Sequence, residues 1–231
     1  MKQLGIIGGL GPESTIDYYQ TLIALYRERQ PDGSYPPILI NSIDMRRALN
    51  ALEAGDLKAL ADYLLAELGK LQRAGADFAI VSANTPHIVF DELERQSPLP
   101  LISIVTATCD AAKARGLKRV GLFATRFTVR AGFYSDVFSR QGLTIVAPDP
   151  AEQDYIHDKY MNEFVPGIFL PETRAGLLAI VDRLAEKAGI EAMILGGTEL
   201  PLILREEAHN GIPFLNTTRI HAQAAIDRMF S

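Results

Sequence analysis

The chain carries an internal repeat, and this repeat constrains its fold more than any other feature of the sequence. AGADFAIVSANT at 74–85 recurs as AGIEAMILGGTE at 188–199, an offset of 114 residues in a chain of 231. Near that offset lie three further pairs of blocks: KQLGIIGG (2–9) with KRVGLFAT (118–125), PLIS (100–103) with PFLN (213–216), and, less closely, PPILINS (36–42) with GLTIVAP (142–148). Four strand-like blocks in the same order predict two similar lobes related by a pseudo-two-fold axis, with a cleft between them that is a favoured kind of ligand site. The alternative is that any two α/β halves share apolar strands followed by glycine, but the matching AGA and AGI lead-ins favour a true repeat.

The length and the repeat together predict two lobes, each large enough to bury its own core. We place the first lobe at residues 1–104 plus 213–231 and the second at 105–212, because the last helix pattern, about 217–230, is expected to cross back to the first lobe. The formal net charge of −5 and the scattered basic residues argue against a nucleic-acid partner, which requires clustered Lys and Arg.

Cysteine, histidine and hydropathy set further expectations. One cysteine, Cys109, excludes an internal disulfide and fits a reducing compartment. The four histidines lack metal-ligand spacing, so no metal site is expected. No apolar run approaches the ~20 residues of a membrane span, and no secretory signal precedes GIIGGLGPES. We therefore expect a cytoplasmic protein with no membrane partner.

Apolar runs of strand length alternate with helix-period stretches along the whole chain. Strands are predicted at 4–9, 37–44, 78–83 and 99–104, and the cycle restarts at Arg119. Helices are predicted at 12–29, 56–73, 105–115 and 217–230. Nearly continuous apolar strands between helices are typical of an α/β fold with parallel sheets covered on both faces.

In open α/β sheets, ligands bind beyond the carboxyl ends of the strands. Four polar or glycine-rich turns follow apolar strands here: GGLGPES (8–14), SANTPH (82–87), TRFT (125–128) and GGTE (196–199). Backbone N–H groups at such turns bind anions, including carboxylates. The glycine turn lacks the spacing of a dinucleotide fingerprint, and no P-loop is present.

Together these segments resemble the aspartate/glutamate racemase family over essentially the whole chain. GGLGPES is similar to the family's GGMGP turn, SANTPH to its CNT-x-H segment, LGGTEL to its GCTE segment, and ATRFTVRAGFY to its second-lobe threonine turn. The resemblance implies two lobes that hold an amino acid between them and two cysteines that act as bases on opposite faces of the Cα. It also implies that no cofactor is needed and that the protein is a homodimer.

The sequence departs from the family at both thiol positions. Ala83 stands at the first and Gly197 at the second, and the internal repeat pairs the same two residues. Neither side chain can accept a proton, so the two-thiol mechanism cannot be transferred. Cys109 lies within a helix pattern and is predicted to be a buried small hydrophobe.

Substrate recognition is expected to rest on polar residues of the strand-end turns. The candidates are Gly9, Ser14, Arg46, Asn84, Thr85, Thr125, Thr128 and Thr198. For several of them a plainer role remains open: Asn84 and Thr85 as helix caps, Ser14 as a helix cap, and Arg46 with Arg47 in a solvated loop. Arg126 and Tyr18 are further residues that could border the site.

Glu199 and His87 are the leading candidates for proton transfer without thiols, ahead of His157 and Lys159. A histidine in the first turn after the strand could act as acid or base, or could hold neighbouring loops together. Residues 154–164 are polar and aromatic and are predicted to form a loop that closes the cleft.

These observations leave three functional alternatives. The first is a racemase-type protein that binds a small amino acid or dicarboxylate, acting as an isomerase or one-sided proton-transfer enzyme through non-thiol groups. The second is a non-catalytic sensor that kept the binding site and lost the bases. The third is an engineered chain whose thiols were removed.

Overall fold

The computed structural model describes all 231 residues. Its strands are β1 Leu4–Gly8, β2 Ile38–Ser42, β3 Phe78–Val81, β4 Arg119–Phe123, β5 Thr144–Val146, β6 Ala192–Leu195, β7 Ala208–His209 and β8 Ile212–Asn216. Its α-helices are α1 Pro12–Arg29, α2 Met45–Glu53, α3 Leu57–Arg73, α4 Phe90–Gln96, α5 Ile104–Ala114, α6 Arg126–Ala131, α7 Phe133–Ser139, α8 Pro150–Lys159, α9 Pro171–Ala188, α10 Leu200–Ile203 and α11 Thr217–Phe230. A 3₁₀ turn spans Thr85–Val89, and a π-helical turn spans Tyr160–Phe164.

The chain divides into two compact units. The first unit consists of Met1–Ala107 together with Thr218–Ser231, and the second unit is Thr108–Thr217. Parallel strands form the centre of each, so the expected α/β fold with parallel-sheet cores is confirmed. The boundary after residue 212 that we expected from the sequence differs from the structural one. Residues 212–216 form β8, which pairs with β6 and so remains with the second unit.

The first three strands of the second sheet repeat the strand order of the first sheet. The first is β2-β1-β3, and the second is β5-β4-β6-β8-β7. The pairing register also repeats, since Leu4 opposes Phe78 in one sheet and Val120 opposes Ala192 in the other. These pairs lie at equivalent positions of the sequence repeat, so the repeated sequence folds into a repeated supersecondary structure.

The predicted strand at 99–104 is the main departure from the expected elements. It makes a single parallel bridge, between Ala79 and Leu101, and α5 begins already at Ile104. Pro98 and Pro100 lack the N–H groups that a longer ladder would need. The equivalent segment PFLN of the second unit has one proline, and its Phe214, Leu215 and Asn216 pair with β6.

Helices cover both faces of the first sheet, which explains its unbroken apolar strands. Leu4 and Ile6 pack toward α1 and α11, on one face of the sheet. Ile7 points to the other face and packs toward α3. In the second unit, Phe123 and Leu195 pack with α8 and α9. Burial on both faces holds the strand ends, and therefore the turns that follow them, in fixed positions.

Candidate functional site

The turn after β3 holds the first position at which the family resemblance implies a thiol. Ala83 is buried, with 6% of its surface exposed, and offers only a methyl group. Asn84 follows at the N-cap position of the 3₁₀ turn, and its side chain makes no capping hydrogen bond. The capping role that we left open for Asn84 is therefore not the one it has. Thr85 begins the 3₁₀ turn and is partly exposed.

The glycine turn after β1 is built by Thr15. Its Oγ1 accepts a hydrogen bond from the Gly9 N–H at 2.8 Å and donates to the Gly11 carbonyl at 3.2 Å. Gly9 has φ of +79°, and a Cβ there would lie 2.5 Å from the Ile43 carbonyl oxygen. Gly9 was expected to bind substrate, but its N–H is already occupied, so its role here is to let two backbone segments approach closely.

Ser14 joins the start of α1 to the end of β3. It is fully buried, and its hydroxyl donates to the Ser82 carbonyl at 3.0 Å. The helix has Gly11 at its N-cap position without any side-chain cap, so the capping role considered for Ser14 is wrong. Ser82 in turn donates its hydroxyl to the Ile7 carbonyl at 2.9 Å. These bonds fix the strand end that carries Ala83.

Both ring nitrogens of His87 are engaged. Nδ1 lies 3.0 Å from the Ala83 carbonyl, and Nε2 accepts the Ile104 N–H at 3.2 Å. This pairing requires the neutral tautomer with the proton on Nδ1. Burial, aided by the neighbouring His221, lowers the pKa of His87 to about 3. The arrangement supports the loop-holding role rather than acid–base exchange near neutral pH.

His221 of α11 is a buried polar residue that sequence reasoning missed. Its Nε2 lies 2.9 Å from the Ile102 carbonyl, and its Nδ1 lies 2.9 Å from the Tyr18 hydroxyl. Burial lowers its pKa to about 4, so it too is neutral. The ring lies edge-on to that of His87, with centroids 6.2 Å apart. A histidine inside an otherwise apolar helix face was the only signal in the sequence.

Arg46 and Arg47 lie in the first turn of α2, not in a solvated loop. The Arg47 guanidinium stacks over the Tyr63 ring, 4.2 Å from its centroid. Arg46 is exposed, and its backbone N–H is capped by Asp44 at 2.9 Å. Of the two, Arg46 therefore has the side chain that is better able to reach a carboxylate.

In the second unit, the turn after β4 is organised by two buried threonines. The Thr125 Oγ1 caps α6 by accepting the Thr128 N–H at 3.3 Å, and it lies 3.2 Å from the Thr128 Oγ1. Arg126 forms an ion pair with Asp154 at 2.9 Å. The structure thus assigns capping to Thr125, while both hydroxyls remain candidates for ligand contact.

The turn after β6 holds the second position, Gly197, and a tyrosine that the sequence did not predict there. A Cβ built on Gly197 would lie 2.9 Å from both Cζ and Oη of Tyr160 and closer still to its Cε2. The Tyr160 hydroxyl donates to Oε2 of Glu199, and the Thr198 hydroxyl donates to the same oxygen at 3.2 Å. Burial, followed by the charge of Glu199, holds the pKa of Tyr160 well above its usual value. Tyr160 is therefore a neutral hydrogen-bond donor.

Residues 154–164 are helical, so the expectation of a cleft-closing loop is wrong. They form the end of α8 and the π-helical turn, and Ile156 and Phe164 lie in the core of the second unit. Glu163 accepts hydrogen bonds from Lys159 and, at 2.6 Å, from Thr173. In the sequence, the four-residue spacing of Ile156, Tyr160 and Phe164 was a helical signal that the polar residues between them obscured.

The less favoured acid–base candidates are also engaged. His157 is buried, and its Nδ1 accepts the Arg126 N–H at 3.4 Å. Burial lowers the His157 pKa, with a contribution from Arg126. Lys159 pairs with Glu163, which raises the pKa of Lys159 and keeps it charged. Cys109 is buried in α5, as expected, and burial raises its thiol pKa.

No three or more His, Cys, Asp or Glu side chains are grouped so that they could hold a metal ion. None of the helices has both the length and the apolar character needed to cross a membrane.

Comparison with known proteins identifies the family. Residues 7–225 match the model of the Asp/Glu/hydantoin racemase family. The chain is 25% identical to the broad specificity amino-acid racemase RacX of Bacillus subtilis, over 96% of each chain.

Solved structures show the same relationship. The crystal structure of a Yersinia pestis protein that is described as an Asp/Glu racemase superposes with a TM-score of 0.88 at 30% identity, covering 100% of both chains. An aspartate racemase homologue from Pyrococcus horikoshii superposes with a TM-score of 0.84 at 31% identity, again over 100% of both. The resemblance first seen in the strand-end turns is thus confirmed along the chain, which belongs to the Asp/Glu/hydantoin racemase family.

Proposed function

We propose that this protein binds a small amino acid or dicarboxylic acid at its strand-end turns and does not invert it by a two-thiol route. One observation carries the proposal: the equivalent residues after β3 and β6 are Ala83 and Gly197, beside the polar residues Asn84, Thr85 and Thr198. The turns that we propose to bind the ligand thus keep polar residues, while the bases are absent. The amino-acid ligand class rests on the family and on the described activity of RacX.

The proposed site needs no cofactor, because binding relies on side-chain and backbone hydrogen-bond donors. The same family resemblance supports a cytoplasmic homodimer as the working form. Sedimentation of the purified protein at several concentrations tests the dimer.

A thermal-shift screen of aspartate, glutamate and small dicarboxylates tests binding. A ligand at a hundred times its dissociation constant adds about 2.7 kcal/mol to the free energy of unfolding, so a bound compound raises the melting temperature. Thr85→Val and Thr198→Val should weaken that response. Thr144→Val is the matched control, since Thr144 is exposed at the start of β5. A screen in which no compound shifts the melting temperature would contradict the proposal.

Racemisation of L-Asp and L-Glu is expected to be absent or very slow. Positioned acid–base groups typically contribute ~10²–10⁴-fold to rate, and both family bases are missing. Proton exchange followed by NMR in D₂O, with chiral analysis of the recovered amino acid, measures this. Rapid inversion by the unchanged chain would overturn the proposal and require other bases, which Glu199→Gln and His87→Asn would then identify.

A non-catalytic binding protein is the second candidate function, and specific observations favour it. His87 has both ring nitrogens hydrogen-bonded, and Tyr160 fills the space beside Gly197. One-sided proton transfer through Glu199 is the catalytic alternative. Exchange of the Cα proton with retention of configuration would distinguish that alternative from pure binding.

A further inference from the structure

The backbone conformation at position 197 does not require glycine. Eleven glycines in the chain have positive φ, and Gly197 is not among them. An alanine or cysteine could therefore adopt the local backbone without strain. What a side chain at this position would meet is the ring of Tyr160, at distances that no pair of nonbonded carbon atoms tolerates.

Tyr160 is held in this place from several directions. Its hydroxyl donates to Glu199, and its ring lies 5.8 Å from that of Phe164, centroid to centroid, at an interplanar angle of 73°. Its carbonyl accepts the Val165 N–H at 3.0 Å, an i→i+5 bond of the π-helical turn. Such turns are uncommon and are frequent at functional sites. The ring cannot swing away without breaking these contacts.

We propose that Tyr160 and Gly197 form a steric pair in which the tyrosine ring occupies the volume that a side chain at residue 197 requires, so that this position cannot carry a thiol. Glu199 and Thr198 act as positioning residues for the tyrosine hydroxyl. The inference rests on the proposed function only for its consequence, which is that the second unit offers no base to the ligand. The steric pairing itself can be tested without any ligand.

A set of stability measurements tests the pairing. Overpacking by one methyl group should make Gly197→Ala lower the melting temperature by about 5–10 °C. The same drop is expected in a Tyr160→Phe background, since the clashing ring atoms remain. In a Tyr160→Leu background, which keeps an apolar side chain but removes the ring, Gly197→Ala should cost less than about 2 °C.

Gly196→Ala is the matched control on the neighbouring residue. A Cβ there would lie 2.6 Å from Leu122 Cδ1 and 2.8 Å from the Phe123 carbonyl oxygen, and Tyr160 is not among its nearest atoms. Its loss of melting temperature should be the same with and without Tyr160→Leu. If Tyr160→Leu relieves Gly196→Ala and Gly197→Ala equally, or relieves neither, the steric pairing is refuted.

A gain of function links the pairing to chemistry. Ala83→Cys with Gly197→Cys should give little inversion at Cα while Tyr160 is present, and addition of Tyr160→Leu should raise the inversion rate at least about tenfold, within the contribution of positioned acid–base groups. Equal inversion rates with and without Tyr160→Leu would overturn the inference. Absence of inversion in both, together with the expected melting temperatures, would count against the proposed ligand and leave the steric pairing supported.

Discussion

At the residue scale, the glycine turn shows that a motif does not reveal which of its backbone groups the protein itself occupies. GGLGPES was predicted to be a strand-end turn, and Gly9 to be a substrate-binding residue. The structure instead gives that N–H to Thr15, and places Gly9 against the backbone of Ile43. A side chain six residues away satisfies the donor, and glycine spacing alone carries no information about such a partner.

Gly9→Ala should therefore be strongly destabilising, by about 3 kcal/mol or more. The substitution combines a positive φ with a Cβ only 2.5 Å from the Ile43 carbonyl oxygen, so strain and overpacking add. Gly33→Ala is the matched control, because Gly33 has φ of +85° with no atom within 4 Å of the added Cβ, and should cost about 1 kcal/mol. Urea denaturation of both variants gives the comparison, and equal losses would show that the approach to Ile43 is not a constraint.

At the element scale, residues 154–164 show where polarity misled the sequence reading. Asp149 and Glu152 form a capping box at the start of α8, a signal that predicts a helix. The buried partners of the turn lie farther along the chain: Thr173 for Glu163, and Glu199 for Tyr160. Contacts over such separations arise from tertiary packing, so periodicity within the segment could not reveal them.

Thr173→Val should loosen the π-helical turn. Thr173 is fully buried, and its hydroxyl donates to the Glu163 carboxylate at 2.6 Å, so removal of this charged hydrogen bond should cost about 1.5–3 kcal/mol. Amide hydrogen exchange within Tyr160–Phe164 should accelerate more than exchange in β4 or β6. Thr144→Val, at an exposed position, should change neither quantity. Uniform protection of the turn in both variants would contradict the anchoring role of Glu163.

At the scale of the whole molecule, the repeat predicted the two parallel sheets and their shared strand order, because buried strands leave a simple apolar signature. It could not predict which strand-end groups would be occupied inside each unit. His221 illustrates this limit: α11 was expected to return to the first lobe, but the histidine that ties it to Tyr18 and Ile102 was not recognised. Hydrogen-bond pairing in a core depends on positions more than a hundred residues apart, which one sequence does not relate.

The two buried histidines of the first unit should make the protein sensitive to mild acid. Their pKa values in the folded state, about 3 for His87 and about 4 for His221, lie below the unfolded value of about 6.5. The unfolded chain therefore binds more protons than the native chain as the pH falls, so stability is fully present above about pH 6.5 and declines below it. Each histidine contributes up to about 1.4 kcal/mol per pH unit, which gives roughly 2–5 kcal/mol between pH 6.5 and 4.5.

Urea denaturation at steps of pH from 7.5 to 4.5 measures this decline. Carboxylates of lowered pKa, such as Glu67 and Glu163, lose their contribution to stability mainly below their unperturbed pKa of 4.5. The pH range of this experiment lies above that value, so the histidines dominate the decline. His87→Gln and His221→Gln should each reduce the slope by somewhat less than half, because an amide can donate and accept hydrogen bonds without titrating. The double variant should keep only the smaller slope that His157 contributes, since burial lowers the pKa of that histidine too. An unchanged slope in the double variant would mean that other groups take up the protons on unfolding.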